Sequence, residues 1–147
     1  MNRDPIGYRI KKINNLMKRA MDKKMGHRPD KATMMHIWII GFIHDREEEG
    51  IETFQKDIEA EFFINRSTTS EMLTLMAKKG MIERVPVDYD ARLKKIVLTK
   101  QARDYNDRVK ENIEKTNQQL SQGLSKEEVD FFIHICDRLI ENMQNDL

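Results

Sequence analysis

The stretch from Thr53 to Thr99 constrains the fold most, because two short helical runs lead directly into two short β-branched runs. Phe54–Glu61 fits one helix of about two turns. Ser67–Lys79 fits a second and ends at Gly80, well placed for a left-handed C-terminal cap. Ile82–Val87 and Lys94–Thr99 flank a turn containing Asp88, Tyr89, Asp90 and Ala91, which reads as a β-hairpin. Pro86 restricts pairing near the end of the first strand, because it has no N–H to donate. Any sheet here is therefore a single hairpin attached to a helical body.

The flanking sequence is helical. Over residues 5–24, Ile6, Ile10, Ile13, Met17, Ala20 and Met21 recur at three- and four-residue steps and form one apolar stripe. Pro5 suits a first helical position and Asp4 a cap, and Gly26 to Pro29 breaks the pattern. A second helix starting at Asp30 or Thr33 and running to about Arg46 is apolar nearly all round, through Ile37, Trp38, Ile39, Ile40, Phe42 and Ile43. Such a helix is expected to be central and buried. Glu47 to Glu49 and Gly50 read as a solvated connection.

Residues 100–120 form a mostly polar helix, which Ser121 to Ser125 interrupts. Ser125 with Glu128 makes a capping box for a last helix striped by Val129, Phe132, Ile133, Cys136, Leu139, Ile140 and Met143. The fold class expected is α+β, mainly α, in one domain over residues 1–147. A small domain has difficulty covering broad apolar stripes at both ends, so residues 5–24 and 100–147 are expected to build a homodimer interface.

The net charge of +1 offers no support for a polyanionic partner, but its distribution does. Residues 1–30 carry nine Lys or Arg against three Asp, residues 43–65 are acidic, and residues 66–95 turn basic again with seven cations against four carboxylates. Cys136 is the sole cysteine, which excludes an intrachain disulfide and a cysteine-rich zinc module. No signal peptide is visible, and the longest apolar run, Ile37 to Ile43, is too short to span a bilayer. The expectation is a cytoplasmic protein without a membrane partner.

The chemistry concentrates at Asn65-Arg66-Ser67-Thr68-Thr69-Ser70, five small polar side chains and one arginine at the start of a helix. A helix that enters the major groove of duplex DNA needs such an end, because hydroxyls and amides reach base edges and phosphates there. Met72, Leu73, Leu75 and Met76 would face the core behind it. The hairpin adds a wing in which Asp90 and Arg92, two residues apart, share one side of the strand. The Asp can orient a guanidinium suited to a narrow minor groove, and Lys94 and Lys95 would follow as phosphate contacts.

This order of elements resembles the MarR family of winged helix-turn-helix regulators. The resemblance rests on Gln55-Lys56-Asp57-Ile58 in the support helix, Ile64 to Leu73 in the recognition helix, Gly80 to Arg84 after it, and Asp90-Ala91-Arg92 followed by Ile96-Val97-Leu98-Thr99 in the wing. It implies an obligate homodimer on a pseudo-palindromic operator, usually a repressor, released by a small-molecule effector. By position, Arg66, Ser67, Thr68, Thr69 and Ser70 would contact the major groove. Arg92, oriented by Asp90, would enter the minor groove, with Lys94 on phosphate. Gln55 and Arg84 would be supporting or phosphate contacts. Glu59 stands where Ala is common, Phe63 where Gly is common, and Ala91 replaces a frequent Arg at the wing tip. Glu71 places an acid on the recognition helix, where it either faces away from phosphate or accepts from a cytosine amino group.

Other residues are weighed against plainer roles. His36 and His44 lie about two turns apart on one helix, too far for one ion, so no metal and no cofactor are expected. Cys136 sits on an apolar stripe and suits a buried hydrophobe better than a redox sensor. Met17 and Met21 suit helix packing; with His36 they are also the candidate effector-pocket residues. Two rival functions remain. One is a winged-helix module for protein–protein contact, using the acidic stretch from Asp45 to Glu61. The other is an enzyme, for which no nucleophile–base pair, phosphate-cradling glycine loop or ligand cluster is present.

Overall fold

A computed structural model describes residues 5–26 and 32–147. In order these form α1 (Gly7–Met25), α2 (Met34–Glu48), α3 (Gln55–Phe62), α4 (Arg66–Lys78), β1 (Ile82–Val87), β2 (Asp90–Leu98), α5 (Lys100–Leu120) and α6 (Lys126–Gln144). The mainly helical α+β class follows directly. The expected cap at Asp4, the break at Pro29 and the alternative start at Asp30 lie outside the described residues. No helix among the described residues is long and apolar enough to cross a membrane.

Local chemistry sets the helix ends. Thr33 starts α2 with a capping box: its hydroxyl accepts from the His36 N–H at 3.3 Å, and its own N–H donates to His36 Nδ1 at 3.3 Å. Ser125 and Glu128 do the same for α6, at 3.1 and 2.8 Å. Gly80, at φ 72°, turns the chain out of α4 in the left-handed region. At the start of α1, Ile6 precedes the helix without a side-chain cap.

The chain forms two compact units, one ending at Asn112 and the other running from Ile113 to Leu147. In the first, the core gathers Ile39, Ile40 and Ile43 of α2, Ile58 of α3, Leu73 and Met76 of α4, and Ile82, Ile96 and Leu98 of the hairpin. Fully burying each such side chain contributes ~1.5–3 kcal/mol. The central place expected for α2 is observed, with one correction: Trp38 is 41% exposed. In the second unit, α6 buries no residue, and Phe131, Phe132, Ile133, Ile140 and Met143 are exposed on the single chain.

Antiparallel pairing runs from Ile82↔Leu98 to Pro86↔Lys94, then slips, so that Val87 pairs with Asp90. Ala91, Arg92 and Leu93 therefore have no partner on β1 and bulge outward. The turn is Asp88-Tyr89, shorter than expected from the sequence, and β2 starts at Asp90 rather than Lys94. The slip falls between Pro86 and Val87; Ile96 and Leu98 donate away from β1, so Pro86, in the same phase of the ladder, sits where its missing N–H removes no bond to β2. At its base the hairpin is pinned by the Ile96 N–H donating to Thr53 O at 2.7 Å, and by the Thr99 hydroxyl donating to Gly80 O at 2.6 Å.

Candidate nucleic-acid interface

The support helix is held from below. Arg46 donates from Nε to the Thr53 hydroxyl at 3.1 Å and from its terminal nitrogen to Glu52 O at 2.7 Å, and it lies over the Phe42 ring. Asp57 accepts the Phe54 N–H at 2.8 Å, which satisfies an orphan donor at the start of α3. Phe63 then adopts φ 53°, ψ 42° to turn the chain between the two helices. It is the one non-glycine residue with positive φ among the described residues, which accounts for the glycine common at that position in the resemblance.

Asn65 caps α4, its Oδ1 accepting the Thr68 N–H at 2.8 Å and the Ser67 hydroxyl at 3.3 Å. Gln55 donates from Nε2 to Arg66 O at 3.3 Å and ties the support helix to the start of α4. Arg66, Ser67 and Thr68 are exposed and Ser70 is half-buried, whereas Thr69 is 0% exposed. The Thr69 hydroxyl donates to Asn65 O at 2.8 Å, so it belongs to the helix start and the core rather than to a contact surface. Leu75 is likewise corrected: it is 42% exposed and lies on the outward face instead of behind it.

In the wing, Asp90 Oδ1 accepts the Arg92 N–H at 2.9 Å and its Nε at 3.2 Å, while Oδ2 accepts a terminal nitrogen at 3.3 Å. These bonds hold the Asp90 carboxyl below the usual carboxylate range, side-chain bonds first and the backbone bond second. The Arg92 side chain is 90% exposed on the bulge, a charged group projected into solvent with its direction fixed. Arg84 and Lys94 are exposed on the strands beside it. Lys95 points to Glu52, 3.6 Å away, in a partly exposed ion pair. Glu52 also accepts from the Tyr89 hydroxyl at 2.7 Å, and this bond raises the phenol pKa. The wing is thus anchored to the loop before α3.

Between α3, the start of α4 and the wing lies a cleft of about 620 Å³, lined in part by Gln55, Lys56, Glu59, Arg66, Arg92 and Lys94. Four cations against one carboxylate favour an anion there. The fold therefore brings together Gln55, Arg66, Arg92 and Lys94, which are far apart in the sequence. Glu47 was missed by sequence reasoning. It lies within α2 rather than in a solvated connection; its Oε1 accepts the Leu98 N–H at 3.0 Å and its Oε2 accepts from Arg103 at 2.9 Å. Nothing in a run of three glutamates marks which one faces inward.

The candidate effector residues are less accessible. Met21 and His36 are 1% and 2% exposed, and Met17 is half-buried. His36 Nδ1 is already occupied by the Thr33 N–H. Burial first, and Lys79 second, lower the His36 pKa, so the ring is neutral and fit for that acceptor role.

Residues 33–93 match the model of the MarR family. The crystal structure of the transcription regulator MarR from Oenococcus oeni PSU-1 is 30% identical, with 92% of this chain and 98% of that chain covered at a TM-score of 0.72. The structure of the S. aureus MepR–DNA complex is 21% identical, covering 95% and 99% of the two chains at a TM-score of 0.81. A mutant MarR from E. coli complexed with operator DNA is 18% identical, covering 92% and 93% at a TM-score of 0.77.

Proposed function

The chain belongs to the MarR family of transcription regulators, and from that premise we propose that it binds a pseudo-palindromic operator in duplex DNA as a homodimer and represses transcription until a small-molecule effector releases it. The observation that carries the DNA reading is the cationic cleft, in which Arg66 of α4 and the Asp90-oriented Arg92 of the wing line one space. A recognition helix in the major groove and a wing in the adjacent minor groove would straddle one phosphate backbone, and that backbone would occupy such a cleft. Arg66, Ser67, Thr68 and Ser70 would meet the major groove, Arg92 the minor groove, and Arg84 and Lys94 the backbone, with Gln55 in support. MepR and the E. coli MarR mutant, of the same fold, are found with DNA.

Two copies are needed to fill two half-sites. The exposed apolar stripes of α1 (Ile10 and Ile13, with Ile6 just before it) and α6 (Phe132, Ile133, Ile140, Met143) are what a second copy would cover. Residues 1–147 would then act as one functional domain. Effector binding would shift the population toward a spacing of the two recognition helices that no longer fits successive grooves. Three of the eight carboxylates in the acidic stretch that favoured a protein-binding module are engaged within the fold, Asp57 on the Phe54 N–H, Glu47 on β2 and α5, and Glu52 on the wing.

The test is footprinting on the DNA upstream of the protein's own coding region. Protection of two segments about one helical turn apart within an inverted repeat supports the reading. Absence of any bound duplex at low salt contradicts it.

A further inference from the structure

The outward face of α4 carries one group that a phosphate-coated partner should repel. Successive residues of a helix are separated by ~100°, which places Glu71 roughly 140–160° from each of the buried residues Thr69, Leu73 and Met76. Those three are all 0% exposed, so Glu71 stands at the centre of the opposite face, with exposed Ser67 and Thr74 on either side along the helix. Its carboxylate makes no hydrogen bond or ion pair among the described residues. Arg66 and Lys78 lie more than one turn away on either side. Whatever this face meets, it meets an unpaired acceptor first.

An ionised carboxylate can only accept hydrogen bonds. In the major groove guanine shows two acceptors and thymine one acceptor and a methyl group, while adenine sets an acceptor beside its amino donor. Cytosine alone presents an amino donor without a neighbouring acceptor on the same base. We infer that Glu71 is a specificity-determining residue, selecting a cytosine at one position in each half-site at the expense of affinity for every other base. The inference rests on the DNA-binding reading above and adds to it which chemistry the helix reads.

The expected cost of a wrong base opposite Glu71 is on the order of tenfold in affinity per half-site. A glutamine of the same shape both donates and accepts and suits the adenine edge, so Glu71→Gln should move the preference from C to A. Glu71→Ala should lose the preference and bind the remaining sequences more tightly, since a carboxylate no longer opposes phosphate. Glu71 is exposed and unpaired, so both variants should fold as the wild type does, which circular dichroism checks.

The experiment selects binders from a randomised duplex library with the full-length wild-type, Glu71→Gln and Glu71→Ala proteins, then measures affinities on defined duplexes differing at the selected position. A conserved C in the wild-type selection that becomes A with Gln and unselective with Ala supports the assignment. Identical base preferences in all three proteins, with the variants merely tighter on every duplex, overturn it while leaving DNA binding intact. A wild-type protein that retains no duplex at low salt overturns this inference and the DNA reading together.

Discussion

Replacing Glu47 by alanine should loosen the wing from a distance. The Glu47 side chain is 25% exposed, and its two oxygens accept the Leu98 N–H at 3.0 Å and the Arg103 guanidinium at 2.9 Å, joining α2 to β2 and α5. A hydrogen bond from a part-buried backbone N–H to a charged acceptor is worth ~1.5–3 kcal/mol, and its loss strands that N–H. Arg103 is 45% exposed, so water screens its ion pair and the contribution is ~1 kcal/mol at most. Glu47→Ala should therefore cost about 2–4 kcal/mol, with the backbone bond dominant over the ion pair. For a chain of this size that corresponds to a fall in Tm of roughly 4–16 °C at fixed protein concentration. Glu47→Gln keeps an acceptor for Leu98 and should cost ~1 kcal/mol, while Arg103→Ala should cost ~1 kcal/mol or less. Urea denaturation followed by circular dichroism measures all three. The reasoning is refuted if Glu47→Ala lies within ~0.5 kcal/mol of wild type, or if Glu47→Gln costs as much as Glu47→Ala.

Asn65→Ala removes the side-chain cap of α4 and should cost ~1 kcal/mol of stability in the same assay; Asn65→Asp, which keeps an acceptor, should cost much less. His36 has a lowered pKa in the folded chain, so the unfolded chain takes up protons first as pH falls below the ordinary histidine value of 6.5. Stability linked to His36 is thus fully present above that value and declines as pH falls toward the folded pKa, where protonation also breaks the bond from the Thr33 N–H; urea midpoints above and below it should differ, and the difference should shrink in His36→Gln. Ile133, 53% exposed on α6, should be covered in the homodimer, so Ile133→Glu should yield a folded monomer by light scattering, and an unchanged dimer would remove α6 from the interface.

Much of this molecule can be read from residue order. Helix caps at Thr33 and Ser125, the Gly80 turn and the hairpin are local, set by residues three or four apart, and periodicity finds them. The Asp90–Arg92 pair is local too, which is why its geometry was accessible from spacing alone. Elsewhere the deciding contacts are long-range. Glu47 meets Leu98 across 51 positions, and Tyr89 meets Glu52 across 37; their partners decide which carboxylates point inward. Thr69 looked like its neighbours Thr68 and Ser70 in composition, yet 100° of rotation per residue turns it into the core. Trp38 and Leu75 failed in the opposite sense, as apolar residues that the packing leaves partly outside. The slip after Pro86, and the unpaired Ala91–Leu93 bulge that projects Arg92, depend on where the turn closes rather than on the proline's missing N–H.

The most direct test is the equilibrium affinity of the full-length protein for its operator duplex, measured by fluorescence anisotropy over a range of salt concentrations. With Arg66, Arg84, Arg92 and Lys94 from each of two protomers near phosphate, the logarithm of the association constant should fall against log salt with a slope of about −4 to −7. Arg92→Ala should weaken binding on the order of tenfold with the dimer intact, and make the slope shallower by about 2. A protein that binds no duplex at low salt, or whose affinity is indifferent to both salt and Arg92, would contradict the assignment of this winged helix to DNA.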